Sequence, residues 1–185
     1  LILCGMRNDN KNVINVANLC VEAKDKIIGF DIAGPELSYP PSLFAESFKK
    51  VSESGVNITI HAGEGDGVSS IIDAINNGAT RIGHGVRIIE DINDGIIGPT
   101  ASKIIDLQIP LEICITSNIH TNMYESYEAH PISSLIDYGF NVYLNTDNRL
   151  MSNTSISREI EIAKNLGISD VDRLLKYSAS DSFFD

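Results

Sequence analysis

Six short β-rich runs, each followed by a stretch with helical spacing, constrain the fold of this chain more than any other feature. The runs are Leu1–Cys4, Ile27–Ile32, Val56–Ile60, Thr80–Gly83, Leu111–Ile115 and Phe140–Asn145. Val68, Ile71, Ile72 and Ile75 then fall at i, i+3, i+4 and i+7, one face of a helix. Phe44, Phe48 and Val51, and later Ile132, Leu135 and Ile136, repeat that spacing. Gly55, Gly78 and Gly139 each stand between a helical stretch and a strand, where a residue of positive φ ends a helix. Pro131 suits a first helical turn, and Ser169 with Asp172 has the form of an N-cap before Val171, Leu174 and Leu175. Strands alternating with helices imply a parallel sheet with right-handed crossovers. The Ile, Val and Leu of Val56–Ile60 and Leu111–Ile115 suit strands covered on both faces. An open doubly wound sheet and a (β/α)-barrel share this pattern, and periodicity does not separate them.

The polar residues favour the barrel. Asp31-Ile32-Ala33-Gly34-Pro35-Glu36, His61-Ala62-Gly63-Glu64, His84-Gly85, Thr116-Ser117-Asn118 and Asn145-Thr146-Asp147-Asn148 all fall at the carboxyl ends of successive strands. Barrel enzymes build their sites there, whereas an open sheet gathers its site at one switch point. A lone strand-end histidine is by default a hydrogen-bonded structural group, and a lone Asp147 reads equally well as a helix cap. Together, His61, Glu64, His84 and Asp147 form an imidazole and carboxylate set able to hold a divalent ion and to manage protons beside it.

Composition bounds the partners. With 25 acidic and 14 basic residues the formal net charge is −11, so no surplus of cations is available to displace the counterions of a nucleic acid. No run approaches the roughly 20 apolar residues of a membrane span. Cys4, Cys20 and Cys114 are too scattered for a disulfide framework or a CxxC knuckle, which is the usage of a reduced, cytoplasmic protein. No linker or low-complexity stretch divides residues 1–185, so a single domain is expected.

His61-Ala62-Gly63-Glu64, Arg81-Ile82-Gly83-His84-Gly85, Cys114-Ile115-Thr116-Ser117-Asn118, His130-Pro131 and Asn145-Thr146-Asp147 resemble, in order and spacing, the signature segments of the adenosine deaminase family. Asp31-Ile32-Ala33-Gly34 fits as well, and the resemblance covers essentially the whole chain. It implies a TIM-like (β/α) barrel of the metal-dependent hydrolase type. It also implies zinc-dependent hydrolysis of adenosine to inosine and ammonia, with one zinc ion per complete site. His61 and Asp147 would be zinc ligands, and His84 would orient the attacking water as base or electrostatic stabiliser. Glu64 would deliver a proton to purine N1, which requires its carboxyl to be protonated in the complex. The backbone N–H of Gly34 would meet purine N3. Asn148, where many members carry a second Asp, would donate its amide to N7 at any pH.

Against that pattern the chain is incomplete. The family takes two more zinc ligands from a His-x-His pair on its first strand, and the other histidines here, His120 and His130, lie downstream. A typical barrel has ~250 residues, about 65 more than this chain. About six of eight strands are therefore expected, with Leu1–Cys4 as the third and Phe183-Phe184-Asp185 falling before the last helix is complete. Self-association through the uncovered edges Leu1–Cys4 and Phe140–Asn145 follows. His120 is read as a solvated loop residue, and His130 as a capping or packing group before Pro131. Ser117 beside His84 lacks the GxSxG elbow of a nucleophile. Alternative readings are an adenine or other purine deaminase, and a catalytically dead purine-binding or interaction remnant.

Overall fold

In the computed structural model, which describes residues 1–177 and 179–183, six parallel strands form one sheet in chain order. Phe184 and Asp185 lie outside the described residues. The strands of the structure are β1 (Ile2–Met6), β2 (Gly29–Ala33), β3 (Asn57–Ala62), β4 (Arg81–His84), β5 (Ile92–Asn93), β6 (Ile96–Ile97), β7 (Leu111–Ile113) and β8 (Val142–Leu144). The large sheet runs β1-β2-β3-β4-β7-β8, and β5 pairs with β6 in a separate hairpin. The helices are α1 (Asn10–Glu22), α2 (Ala45–Glu53), α3 (Val68–Asn76), α4 (Pro99–Asp106), α5 (Ile115–His120), α6 (Ile132–Asp137), α7 (Ile156–Asn165) and α8 (Ala179–Ser182). All six expected strands are present, and the architecture is an incomplete (β/α) barrel with β1 and β8 at its two edges.

Alternation along the strands sorts the chemistry. Phe30, Ile32, Ile58, Ile60, Ile82, Leu111, Ile113, Val142 and Leu144 are buried in the hydrophobic core with the helices, as Phe30 against Phe48 of α2 illustrates at 5.6 Å between ring centroids. The intervening positions Asp31, His61, Arg81, Glu112 and Tyr143 point to the other face, where Arg81 Nε lies 3.4 Å from Glu112 Oε1. The interior of the sheet's curve is therefore polar, while the hydrocarbon lies between strands and helices. Gly55, Gly78 and Gly139 end helical stretches with φ of 84°, 95° and 89°.

Caps explain where several helices start. Asp9 accepts the N–H of Asn12 at 3.1 Å to open α1, and Ser155 accepts that of Arg158 at 3.3 Å to open α7. For α4 the cap comes from outside the helix: Asp91 accepts the N–H groups of Thr100 and Ala101, each at 2.8 Å. The β5–β6 hairpin holds Asp91 near that helix start. Its turn, Asp94-Gly95, has positive φ at both residues, as a two-residue hairpin turn requires.

Three local expectations are corrected. The run Leu111–Ile115 is strand only to Ile113, and Cys114 turns the chain into α5. His120 is exposed as expected but closes that helix rather than lying in a loop. The Ser169–Asp172 signature opens no α-helix. A short 3-10 turn over Arg173–Leu175 forms instead, and Asp170 accepts the Arg173 N–H at 3.2 Å.

Candidate active site

Parallel pairing of β3 with β4 sets Ala62 opposite His84 and His61 opposite Gly83. The two imidazoles therefore meet edge to face, with ring centroids 5.3 Å apart. Gly83 makes this possible, because a Cβ there would lie 3.1 Å from His61 Nδ1. Asp147 and Cys114 close the same cavity of about 220 Å³, along with Glu112. Two of the residues singled out from the sequence hold left-handed backbone: His84 at φ 61° and Asp147 at φ 53°. For non-glycine residues that conformation is uncommon and costs of order 1–3 kcal/mol, a strain that clusters at functional sites.

Each side chain is held by a partner. His61 Nδ1 lies 2.8 Å from Asp31 Oδ2, off the straight N–H line, and Asp31 Oδ1 accepts the His61 backbone N–H at 3.2 Å. Asp147 Oδ2 accepts the Ser117 hydroxyl at 2.7 Å, which holds that carboxylate in place. His84 Nε2 is 3.5 Å from Glu64 Oε2, and His84 Nδ1 is 3.2 Å from the Asn118 amide nitrogen. Asn148 is exposed and spends its Oδ1 on the Met151 N–H at 3.1 Å, which leaves its NH₂ group the end to offer a ligand. Gly34 follows β2 with φ 98°.

Electrostatics separate the roles. Burial pulls the His61 imidazole down, but Asp31, Asp147 and Glu112 outweigh it and push its pKa up to about 9. His61 thus sits where the protein favours positive charge. His84 goes the other way, lowered by burial and by His61, so it is neutral at pH 7. The Glu64 carboxyl is raised by burial, with His61 opposing and Asp147 and Glu36 reinforcing.

Two buried residues shape the site in ways the sequence does not indicate: Glu36, known there only as a polar residue after a strand, and Arg7, which carries no signal. Glu36 accepts three backbone N–H groups, from Gly63 at 2.6 Å and from Glu64 and Asp66 at 3.0 Å each, and so fixes the turn that presents Glu64. Gly63 is obligatory in that turn, with φ 73° and room for a Cβ only 2.4 Å from Ile71. Arg7, 1% exposed, reaches from the end of β1 to the carbonyls of Ile32, Tyr39 and His61, tying three strand ends together.

The donors present fit zinc in kind: an imidazole whose other nitrogen is paired with a carboxylate, as metal-bound histidines usually are, and a carboxylate facing the same cavity. They number two, His61 and Asp147. Among the described residues no cluster of three or more His, Cys, Asp or Glu side chains is arranged to hold an ion, whereas zinc sites use three or four protein ligands. A larger cavity, about 380 Å³ between α6 and the turn after α7, contains none of these residues.

Comparison with known proteins gives a consistent picture. The family model for adenosine deaminase matches residues 1–185. An adenosine deaminase of Mycobacterium ulcerans is 45% identical over 152 residues, covering 78% of this chain and 42% of that protein. Adenosine deaminase 1 of Streptomyces coelicolor is 44% identical over 167 residues, covering 86% and 42%. Among solved structures, adenine deaminase from Arthrobacter aurescens superposes with a TM-score of 0.87 at 24% identity, over 98% of this chain and 58% of that one. An Arabidopsis N6-mAMP deaminase gives 0.84 at 26% identity, over 100% and 55%. The matched stretch spans less than half the length of these curated relatives. No helix among the described residues is long and apolar enough to cross a membrane.

Proposed function

The chain belongs to the adenosine deaminase family, and we propose that it supplies the proton-transfer half of a site that hydrolyses adenosine to inosine and ammonia. The observation that carries this reading is the pairing of a carboxyl raised by burial, Glu64, with a buried neutral imidazole, His84, which lines the His61–Asp147 cavity. Hydrolysis forms a C6–O bond to water and breaks the C6–N bond. Addition at C6 drives an electron pair onto N1, so an acid must stand there, and Glu64 delivers that proton. Its raised pKa is what such a role demands. His84 holds the attacking oxygen in line. The Asn148 NH₂ meets N7, and the Gly34 N–H meets N3. When bound, zinc lowers the pKa of a water to about 7 and so makes hydroxide available at neutral pH. On this chain His61 and Asp147 would hold it, with Asp31 orienting His61 and Ser117 orienting Asp147.

Adenosine is preferred over adenine or a nucleotide because the relatives at 44–45% identity are adenosine deaminases, whereas the adenine and N6-mAMP enzymes resemble this chain at 24–26%. The three free cysteines suit a cytoplasmic enzyme. The uncovered edges β1 and β8, with Leu1 74% exposed beside β1, support self-association of the isolated chain. The test uses the longest open reading frame that contains this sequence, assayed for ammonia release from adenosine, adenine and AMP. Glu64→Gln should lower turnover of adenosine by ~10²–10⁴ with nucleoside affinity held. A variant within about threefold of the parent, when acid catalysis is worth orders of magnitude, would remove Glu64 from its role.

A further inference from the structure

His84 touches a second histidine through one intervening amide, and that chain of bonds has a single consistent direction. It starts at α6. Pro131 has no N–H, so the first backbone donor of that helix belongs to Ile132, and it points at His130 Nδ1, 3.2 Å away. His130 is 4% exposed beneath the Tyr124 ring, and burial holds its pKa down to about 4, so it carries one proton at pH 7. Because Nδ1 accepts, that proton is on Nε2. Nε2 lies 3.1 Å from Asn118 Oδ1, and Asn118 Nδ2 lies 3.2 Å from His84 Nδ1. Asn118 is wholly buried. Turning its amide over would set NH₂ against the His130 N–H, with no room to move that proton to Nδ1, where the Ile132 N–H already points. The amide orientation is therefore fixed, and because the Asn118 NH₂ faces His84 Nδ1, that nitrogen must accept and the ring hydrogen of His84 stands on Nε2.

We propose that His130 is a positioning residue for the reaction: through Asn118 it locks His84 as a hydrogen-bond donor at Nε2, which excludes His84 from removing the proton of the attacking water. Of the two roles open to His84, base or electrostatic stabiliser, the relay selects the second. The Nε2–H points toward Glu64 and the cavity, where it steadies negative charge on the incoming oxygen. The start of α6, a piece of scaffold, thereby sets the tautomer of a group at the reacting centre. The proposal rests on the place given to His84 in the deaminase reading.

The test reads the tautomer directly, apart from activity. With the chain labelled with ¹⁵N-histidine, two-bond ¹H–¹⁵N correlations near neutral pH should show Nε2–H forms for both His84 and His130. His130→Phe keeps the ring against Tyr124 but removes the donor, and the Nδ1–H form of His84, absent from the parent, should become visible. His130→Gln restores an N–H toward Asn118 and should return the parental pattern. In the complete reading frame, His130→Phe should lower kcat about 10- to 100-fold, the usual range for groups that orient a site residue, with KM unchanged, and His130→Gln should recover most of it. An Nδ1–H tautomer on either histidine of the unmodified chain overturns the relay whether or not the variants fold. An unchanged His84 pattern in folded His130→Phe overturns it too. Parental tautomers as expected, in a frame that releases no ammonia, would uphold the relay and sink the functional reading instead.

Discussion

Replacing Glu36 by Gln should destabilise this chain more than an isosteric exchange normally does, and the size of the loss follows from three bonds. Glu36 Oε1 accepts the Gly63 N–H, and Oε2 accepts those of Glu64 and Asp66. A glutamine keeps one acceptor oxygen. Its better orientation retains the pair at Oε2 as neutral bonds and turns NH₂ toward the buried Gly63 N–H, leaving two donors face to face. An unpaired buried donor costs ~1–3 kcal/mol, and a bond to a charged acceptor exceeds a neutral one by ~1 kcal/mol. One lost bond and two weakened ones come to about 3–5 kcal/mol. The buried Arg7, whose charge Glu36 helps to offset, pushes in the same direction. A domain has ~5–15 kcal/mol in all, so the midpoint of urea unfolding should fall by roughly 1–2 M at the usual slope. Circular dichroism on residues 1–185 at pH 7 measures it. A loss under about 1 kcal/mol, smaller than the cost of one unpaired buried donor, would refute the account of Glu36 as the clamp of the Glu64 turn.

Other outcomes follow from the same site. His61, with a pKa of about 9, must lose its proton to bind a metal, so zinc affinity of the chain by titration calorimetry should rise by up to about tenfold per pH unit below that value. Affinity independent of pH would remove His61 from the ligands. His130 has a pKa lowered from 6.5 to about 4 by burial. Its contribution is therefore complete above the unfolded value and lost as pH falls toward the folded one, about 3 kcal/mol in all. Urea midpoints taken between those two pH values should fall steeply in the parent and less in His130→Gln, and equal slopes would count against it. Asn148→Ala, in the complete reading frame, should cost adenosine about 1–3 kcal/mol of binding through an unpaired N7, and should leave 7-deazaadenosine unaffected. An equal loss for both nucleosides would dissociate Asn148 from N7.

What the sequence settled by itself is whatever depends on near neighbours. Strand and helix periods repeat within a few residues, so all six strands of the main sheet were legible, and so was the placement of His61, His84 and Asp147 at their carboxyl ends. The β5–β6 hairpin leaves only a local trace, Asp94-Gly95 between Ile92-Asn93 and Ile96-Ile97, because two-residue strands carry too little periodicity. What only the tertiary structure decided are contacts made across the chain. Glu36 reads as a polar residue in a turn until the fold brings three N–H groups from 27 to 30 positions away onto its carboxylate. Arg7 reaches the His61 carbonyl across 54 positions, and the route from His84 through Asn118 to His130 joins three separate segments. In each case the residue type permits many partners, and burial selects one, because a polar atom shut away from water must find whatever acceptor or donor the packing leaves within reach.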